Sequence, residues 1–472
     1  MREHEWRASS WKNSGATPIA KRKQSDNTEK CDPETKPKRQ RLLSRNETLT
    51  IKPHRLHPIS TFPNRFEAIS SSSARQPNDK HSHGTSSIIA ECNRRWVFSD
   101  GDYSALKDRV VVVSYNILGV ENASNHPDLY YKIPPQFLEW NRRKELIGHE
   151  INRYNAGIIC FQEVDRFNDL NFLLKKDGFS GVHKARTGDA SDGCAIFWKE
   201  TMFTLLHEEN IEFQSYGLCN NVAQLCVLKM NDSESKPNPC MQSSKAAATN
   251  SRKLVVGNVH VLFNPKRGDI KLGQVRLFIE RAYELSQEWG NVPVIIGGDL
   301  NSLPQSAIYQ FLASSKLDIL VHERRNISGQ LNHQPCRKYF RSHNSNVKSN
   351  CIAISRPLTH VWSDEEVMLA TGSKGLTHLS HPLKLSSAYL GVPGSGRSRD
   401  SCGEPLATSY HSKFMGTVDY IWHTAELFPV RVLETVPVDV LRRSAGLPNE
   451  VWGSDHLALV CELAFSENDN RT

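Results

Sequence analysis

Asp299 and Asn301 stand two residues apart at the end of an apolar run, Val292-Pro293-Val294-Ile295-Ile296, that passes through Gly297 and Gly298 before presenting them. Side chains alternate along a strand, so an acid and an amide at this spacing share one face. Their oxygens suit a phosphate-bound Mg²⁺, a hard ion that takes oxygen ligands and keeps several waters. Asn116, Glu163, His260 and Asp419 each close or adjoin another apolar run, and Ser454-Asp455-His456 precedes the run Leu457 to Leu463. Taken singly, each has an ordinary explanation: Glu163 as a helix cap, Asp419 as a buried hydrogen-bonded acid, His260 as a satisfied core histidine. Together they describe phosphoester hydrolysis, which needs neutralised phosphate oxygens, an in-line water and a stabilised leaving oxygen.

Six such positions converge only if strands deliver them to a common edge. Val110 to Asn116 reads as a buried strand, 157–164 as a second ending at Glu163, and strand-like runs recur at 194–198, 222–230, 254–263, 418–423 and 457–463. Helices are expected over 136–154, 270–289 and near 305–316; in the second, Val275, Phe278, Ile279, Ala282, Leu285 and Trp289 fall on one face. The alternation predicts an α/β fold with many strands and outer helices. Two stretches interrupt it: 231–253, polar and loop-like, and 324–413, a longer insertion with a short strand expected at Leu358 to Trp362 and a glycine-rich piece at Gly391 to Arg399.

Residues 1–100 hold 19 Lys and Arg against 11 Asp and Glu, an excess that equals the net charge of +8 of all 472 residues, so the remainder is neutral. The N-terminal composition predicts a disordered basic tail over 1–105, followed by a catalytic domain over 106–466. Lys21-Arg22-Lys23 and Lys36 to Arg41 have the spacing of a bipartite nuclear-import signal, giving an expected location in nucleus and cytoplasm. The 11 cysteines contain no CxxC pair, and no apolar run approaches the roughly 18 residues of a membrane span. A soluble intracellular protein without membrane association is the expectation.

The ordered strings Ser114-Tyr115-Asn116, Cys160-Phe161-Gln162-Glu163-Val164, Asn258-Val259-His260, Gly298-Asp299-Leu300-Asn301, Val418-Asp419-Tyr420-Ile421 and Ser454-Asp455-His456 resemble the endonuclease/exonuclease/phosphatase superfamily. That resemblance implies a DNase I-like two-sheet α/β sandwich with outer helices and its site at one edge. Asn264-Pro265-Lys266-Arg267-Gly268-Asp269-Ile270-Lys271-Leu272 and Phe414-Met415-Gly416-Thr417-Val418-Asp419 are similar to the carbon catabolite repressor group of poly(A) nucleases, with its Angel and nocturnin relatives. In deadenylases of that group a proline five residues after the histidine and a phenylalanine five before the aspartate enclose an adenine. Those spacings fall here on Pro265 and Phe414.

The resemblance implies a Mg²⁺-dependent 3′-to-5′ exoribonuclease that removes poly(A) from mRNA, with one or two ions and single-stranded RNA as partner. In that reading Glu163 is a metal ligand supported by Asn116, and Asp299 and Asn301 hold the attacking water or a second ion. His260 contacts the scissile phosphate, Asp419 belongs to the catalytic set, and Asp455 orients His456, which acts as general base or phosphate-binding cation. Lys266, Arg267 and Lys271 are candidates to track the RNA backbone, whereas Asn141-Arg142-Arg143-Lys144 reads as a surface face. The best-known members carry a leucine-rich repeat segment that joins them to the large deadenylase complex. This chain has a basic tail in its place, which puts membership of that complex in doubt. The alternatives are a phosphatase of the same fold acting on RNA 2′,3′-cyclic phosphate ends or a phosphorylated small molecule, and an inactive docking module.

Overall fold

The apolar runs pair into two sheets. The computed structural model describes residues 93–232, 252–332 and 362–466. One sheet has seven strands in the order Trp96–Phe98, Leu427–Leu433, Leu459–Phe465, Arg109–Asn116, Ile158–Gln162, Gly193–Lys199 and Phe179–Ala185. The other has six: Leu385–Ser387, Asp419–Thr424, Val294–Asp299, Lys253–His260, Val222–Met230 and Phe203–Glu212. Each sheet contains one parallel pair, Arg109–Asn116 with Ile158–Gln162 and Lys253–His260 with Val294–Asp299. Parallel neighbours require a crossover, and helices Trp140–Asn152 and Gly268–Glu288 lie in the two connections.

Alternation along these strands builds the layers. Val110 and Val112, Ile158 and Cys160, Leu254 and Val256, Ile295, and Ile421 meet in a core between the sheets. Their neighbours of opposite parity face outward. Val111, Val113 and Ile159 pack under Ile147 and Ile151 of helix Trp140–Asn152, while Val255, Val259, Val294 and Ile296 pack under Phe278, Ile279 and Ala282 of helix Gly268–Glu288. The result is the expected two-sheet sandwich with outer helices. Gly297 and Gly298 permit the sheets and strands to close at its centre: a Cβ on Gly298 would stand 2.3 Å from the Val259 carbonyl oxygen. Gly298→Ala is therefore expected to destabilise the fold by about 2 kcal/mol or more, the cost of overpacking a rigid core, read as a lower urea midpoint.

Several expectations shift. Residues 93–105 are not part of a tail, because Trp96–Phe98 pairs with Leu427–Leu433 and the Arg94 side chain is buried. Disorder of residues 1–92 and the basic import motif lie outside the described residues. Strands Phe179–Ala185, Phe203–Glu212 and Leu427–Leu433 went unanticipated; the first two are edge strands with exposed or half-exposed polar positions and so lack an apolar run. The 324–413 stretch is largely structured where described. It contributes helix Asp364–Thr371, closed by a Ser363–Glu366 capping box, edge strand Leu385–Ser387, and the first strand of a hairpin made by Ser409–His411 and Phe414–Gly416. The expected strand at 358–362 falls mostly outside the described residues, as does nearly all of the 231–253 loop. Among the described residues, no helix is long and apolar enough to cross a membrane.

Candidate active site

The same rows that fill the seam between the sheets end in the polar residues. Asn116 continues Val110, Val112 and Ser114; His260 continues Leu254, Val256 and Asn258; Asp299 continues Ile295 and Gly297; Asp419 stands two before Ile421. Register then sets neighbours. His260 pairs with Asp299 in the parallel ladder, and Asp299 pairs with Asp419 in the antiparallel one. Glu163 follows its strand in a left-handed conformation, φ +58°, and Asn301 does so at +45°. Such backbone costs a non-glycine residue on the order of 1 kcal/mol or more. Side-chain bonds hold both in place.

Asn116 Nδ2 donates to Glu163 Oε1 at 3.0 Å and to Asp299 Oδ2 at 3.1 Å, so one amide bridges the carboxylates of the two sheets. Glu163 Oε2 accepts from the Gly119 amide at 3.0 Å and from Asn122 Nδ2 at 2.9 Å. The Asn301 amide donates to Asp299 Oδ1 at 2.8 Å, and Asn301 Nδ2 donates to Val261 O at 3.0 Å and to His260 Nε2 at 3.1 Å. That assignment places the His260 proton on Nδ1, which is buried without a partner among the described residues. His456 Nδ1 lies 2.8 Å from Asp419 Oδ2, and its Nε2 lies 3.9 Å from Asp299 Oδ2.

Electrostatics separate these groups. Burial would raise the Glu163 carboxyl, but His260, the Asn122 and Asn116 amides and His456 outweigh it and hold it down to about 2. Burial and the neighbouring Asp419 raise Asp299. Burial would lower His456, yet Asp419 and Asp455 overcome it and push the imidazole well above its ordinary value. Divergent carboxylates beside an imidazole favoured in its charged form are what acid–base chemistry requires.

The donor set fits a hard divalent cation. Asp419 Oδ1 is a buried oxygen without a partner among the described residues, and ligand atoms of Asp299, Asp419 and His456 lie within 4.8 Å of one another. The 2.8 Å contact between His456 and Asp419 is a hydrogen bond, so this trio is better read as a proton-linked chain. Glu163 and Asp299, two carboxylates on either side of one amide, offer the oxygens such an ion prefers. Asn116 supports them: as oriented, its Oδ1 accepts from the Leu118 amide at 3.0 Å and its NH₂ faces the carboxylates.

The structure therefore gathers Asn116, Glu163, His260, Asp299, Asn301, Asp419 and His456. It corrects the role of Asp455, which accepts from Tyr130 Oη at 2.8 Å, while Asp419 orients His456. Adjacency in sequence suggested the wrong acid, since consecutive residues seldom share a face. Arg267 is not a free phosphate-binding group, because its Nη2 pairs with the buried Asp269 at 2.8 Å. Arg143 is wholly buried and donates to Ile117 O at 2.8 Å and Gly453 O at 3.2 Å, clamping the segments that carry Asn116 and Ser454. Lys266 is exposed; Pro265 and Phe414 are half-buried, and Phe414 lies beside His411 with ring centroids 5.9 Å apart. Sequence reasoning missed Asn122 and Tyr130, which sit in short helices outside any strand pattern.

Lys271 also departs from expectation. It is fully buried and donates to Asn301 O at 2.6 Å and Gln330 Oε1 at 3.1 Å, so it clamps the strained Asn301 backbone away from solvent. Lys271→Met is expected to lower kcat by about tenfold or more, because small displacements of positioning groups are costly. Burial lowers its ammonium to about 7 from an ordinary 10.5. The unfolded chain then binds more protons between those values, so wild-type stability rises with pH there. Urea titrations should show wild type gaining on Lys271→Met between about pH 7 and 9.

A family model described as Endonuclease/Exonuclease/phosphatase family matches residues 113–456. Carbon catabolite repressor protein 4 homolog 5 of Arabidopsis thaliana is 58% identical over 427 residues, covering 89% of this chain and 91% of that protein. Carbon catabolite repressor protein 4 homolog 3 of the same plant is 45% identical over 392 residues, covering 83% of each. Among solved structures, ANGEL2, a 2′,3′-cyclic phosphatase, in complex with adenosine-2′,3′-vanadate, superposes with a TM-score of 0.61 at 28% identity, covering 79% of this chain and 99% of that one.

Proposed function

We propose a reaction for this chain from the premise that it belongs to the endonuclease/exonuclease/phosphatase family, among the carbon catabolite repressor protein 4 homologues and their Angel and nocturnin relatives: hydrolysis of the 3′-terminal phosphodiester of adenine-ended single-stranded RNA, releasing AMP. The observation that carries it is the convergence of Glu163, Asp299, Asn301, His260 and the Asp419–His456 pair at one end of the seam between the sheets.

Glu163 and Asp299 would hold Mg²⁺, which when bound neutralises phosphate oxygens and eases departure of the leaving oxygen. Asp299 and Asn301 orient the attacking water, whose proton passes to the Asp299 carboxylate. The water oxygen bonds to phosphorus, and the bond from phosphorus to the preceding ribose O3′ breaks. His456, favoured as an imidazolium by Asp419, neutralises phosphate charge and gives a proton to the departing O3′. His260, whose Nε2 lies 3.6 Å from Asp299 Oδ2, is placed to contact the scissile phosphate. Pro265 and Phe414 enclose the terminal adenine by stacking, a common mode of single-strand recognition.

A second reading is favoured by one observation: the solved ANGEL2 structure is that of a 2′,3′-cyclic phosphatase with an adenosine vanadate. The same residues could then open a cyclic phosphate at an RNA 3′ end. Incubating one oligo(A)-ended RNA bearing either a 3′-hydroxyl or a 2′,3′-cyclic phosphate distinguishes the two. Stepwise shortening of the hydroxyl-ended RNA with release of AMP supports the deadenylase; loss of the cyclic phosphate without shortening replaces it with the phosphatase. The basic residues of 1–92 are proposed to direct the chain to the nucleus as well as the cytoplasm, and co-purification with deadenylase-complex subunits tests that partnership.

A further inference from the structure

Phe263 stands three residues past His260 with 53% of its surface exposed. A ring this exposed offers a π-face on which a base can stack. Its ring centroid lies 6.3 Å from that of His126, with the planes 39° apart. The two rings come from different sheets' connections. His126 ends the short helix whose Asn122 holds Glu163, and Phe263 follows the strand that carries His260. They therefore meet beside the segments that hold Glu163 and carry His260.

Phe414 lies on the other side of the same elbow. Its hairpin is tied there by the Ser412 amide on Leu129 O at 3.2 Å, by Ser412 Oγ on Asp128 O at 3.1 Å, and by a Lys413–Asp128 ion pair. Residues 126–130 thus separate two aromatic stations, His411 with Phe414 and His126 with Phe263. Between Phe263 and the helix that follows, Lys266 is exposed, so a phosphate next to the second station meets a cation.

Resting on the nucleic-acid reading above, we infer that Phe263 and His126 form a stacking platform for the penultimate base of the RNA. Stacking on any π-face tolerates sequence, so this station measures the presence of a second nucleotide, and Phe414 with Pro265 selects the terminal base. The platform makes the chain prefer polynucleotide ends over mononucleotides whichever 3′-end chemistry it performs.

The test uses the full chain carrying His456→Ala, in EDTA so that the RNA stays intact, with fluorescence anisotropy of a labelled oligo(A) and of the same oligonucleotide abasic only at the penultimate position. The intact base should give about tenfold tighter binding, as one base–aromatic stack provides. Adding Phe263→Ala should make the two affinities equal, and Phe263→Trp should restore the difference. Equal affinities with Phe263 present, or a difference that survives Phe263→Ala, overturns the platform. Hydrolysis of neither 3′ end by wild type would overturn the proposed reaction while leaving this binding result standing.

Discussion

Glu163→Gln is expected to lower kcat/KM by about 10³-fold or more while leaving the chain folded, since one charge-stabilising group in such sites is worth about 10²–10³-fold and this carboxylate is also the proposed cation ligand. The swap keeps size and removes charge. The Asn116 NH₂, the Gly119 amide and the Asn122 NH₂ all donate to Glu163, so half of a glutamine's amide meets donors where it offers none to accept. Local disorder of the 117–122 segment should follow without global unfolding. Because the Glu163 carboxyl sits at about 2, below its ordinary 4.5, its ionised form stabilises the fold above about pH 4.5, and that contribution disappears as pH falls towards 2. The variant should lose that part of wild type's acid sensitivity. Steady-state kinetics beside a thermal melt check both halves. Retention of a tenth or more of wild-type activity would remove Glu163 from the mechanism.

Deleting residues 1–105 is expected to destabilise the domain severely relative to deleting 1–92, and Arg94→Ala alone should cost about 3–5 kcal/mol. Arg94 is 3% exposed and pairs with Glu150 at 3.3 Å. The Nη1 of that pair also donates to Tyr154 Oη at 3.3 Å, while Nη2 donates to Ala458 O at 2.6 Å and Nε to Glu434 O at 2.9 Å. It therefore stitches the start of the domain to its last strands and to helix Trp140–Asn152. Alanine would leave Glu150 charged and buried without its cation. Burial already raises the Glu150 carboxyl, so the variant should recover part of its deficit as pH falls and the carboxyl protonates. Urea unfolding at two pH values measures this, and a change below about 1 kcal/mol would refute the staple.

The site was legible to the extent that it lies on strands. Asn116, His260, Asp299 and Asp419 stand at positions where alternation of apolar residues ends in a polar one, which a sequence displays directly. Edge strand Phe203–Glu212 was hidden because its side chains meet water at most positions and no apolar rhythm survives. The Asp419–His456 bond was hidden for a different reason: 37 residues separate the partners, and only sheet register brings them together. Arg143 and Lys271 looked like surface cations because charge predicts exposure, whereas here backbone carbonyls at the site satisfy them. Tail composition concealed Arg94 in the same way.

The shared rows of core and site couple fidelity to function. In strands Arg109–Asn116, Lys253–His260 and Val294–Asp299, one face supplies both the apolar residues between the sheets and the terminal reactive residue. A one-residue slip in any of them would expel the seam's valines and isoleucines and swing its reactive residue away in the same event. A misaligned chain thus exposes sticky surface before it can act as an off-target nuclease or phosphatase, and cellular quality control sees the error first. By the same reasoning, insertions and deletions should be eliminated within these three strands.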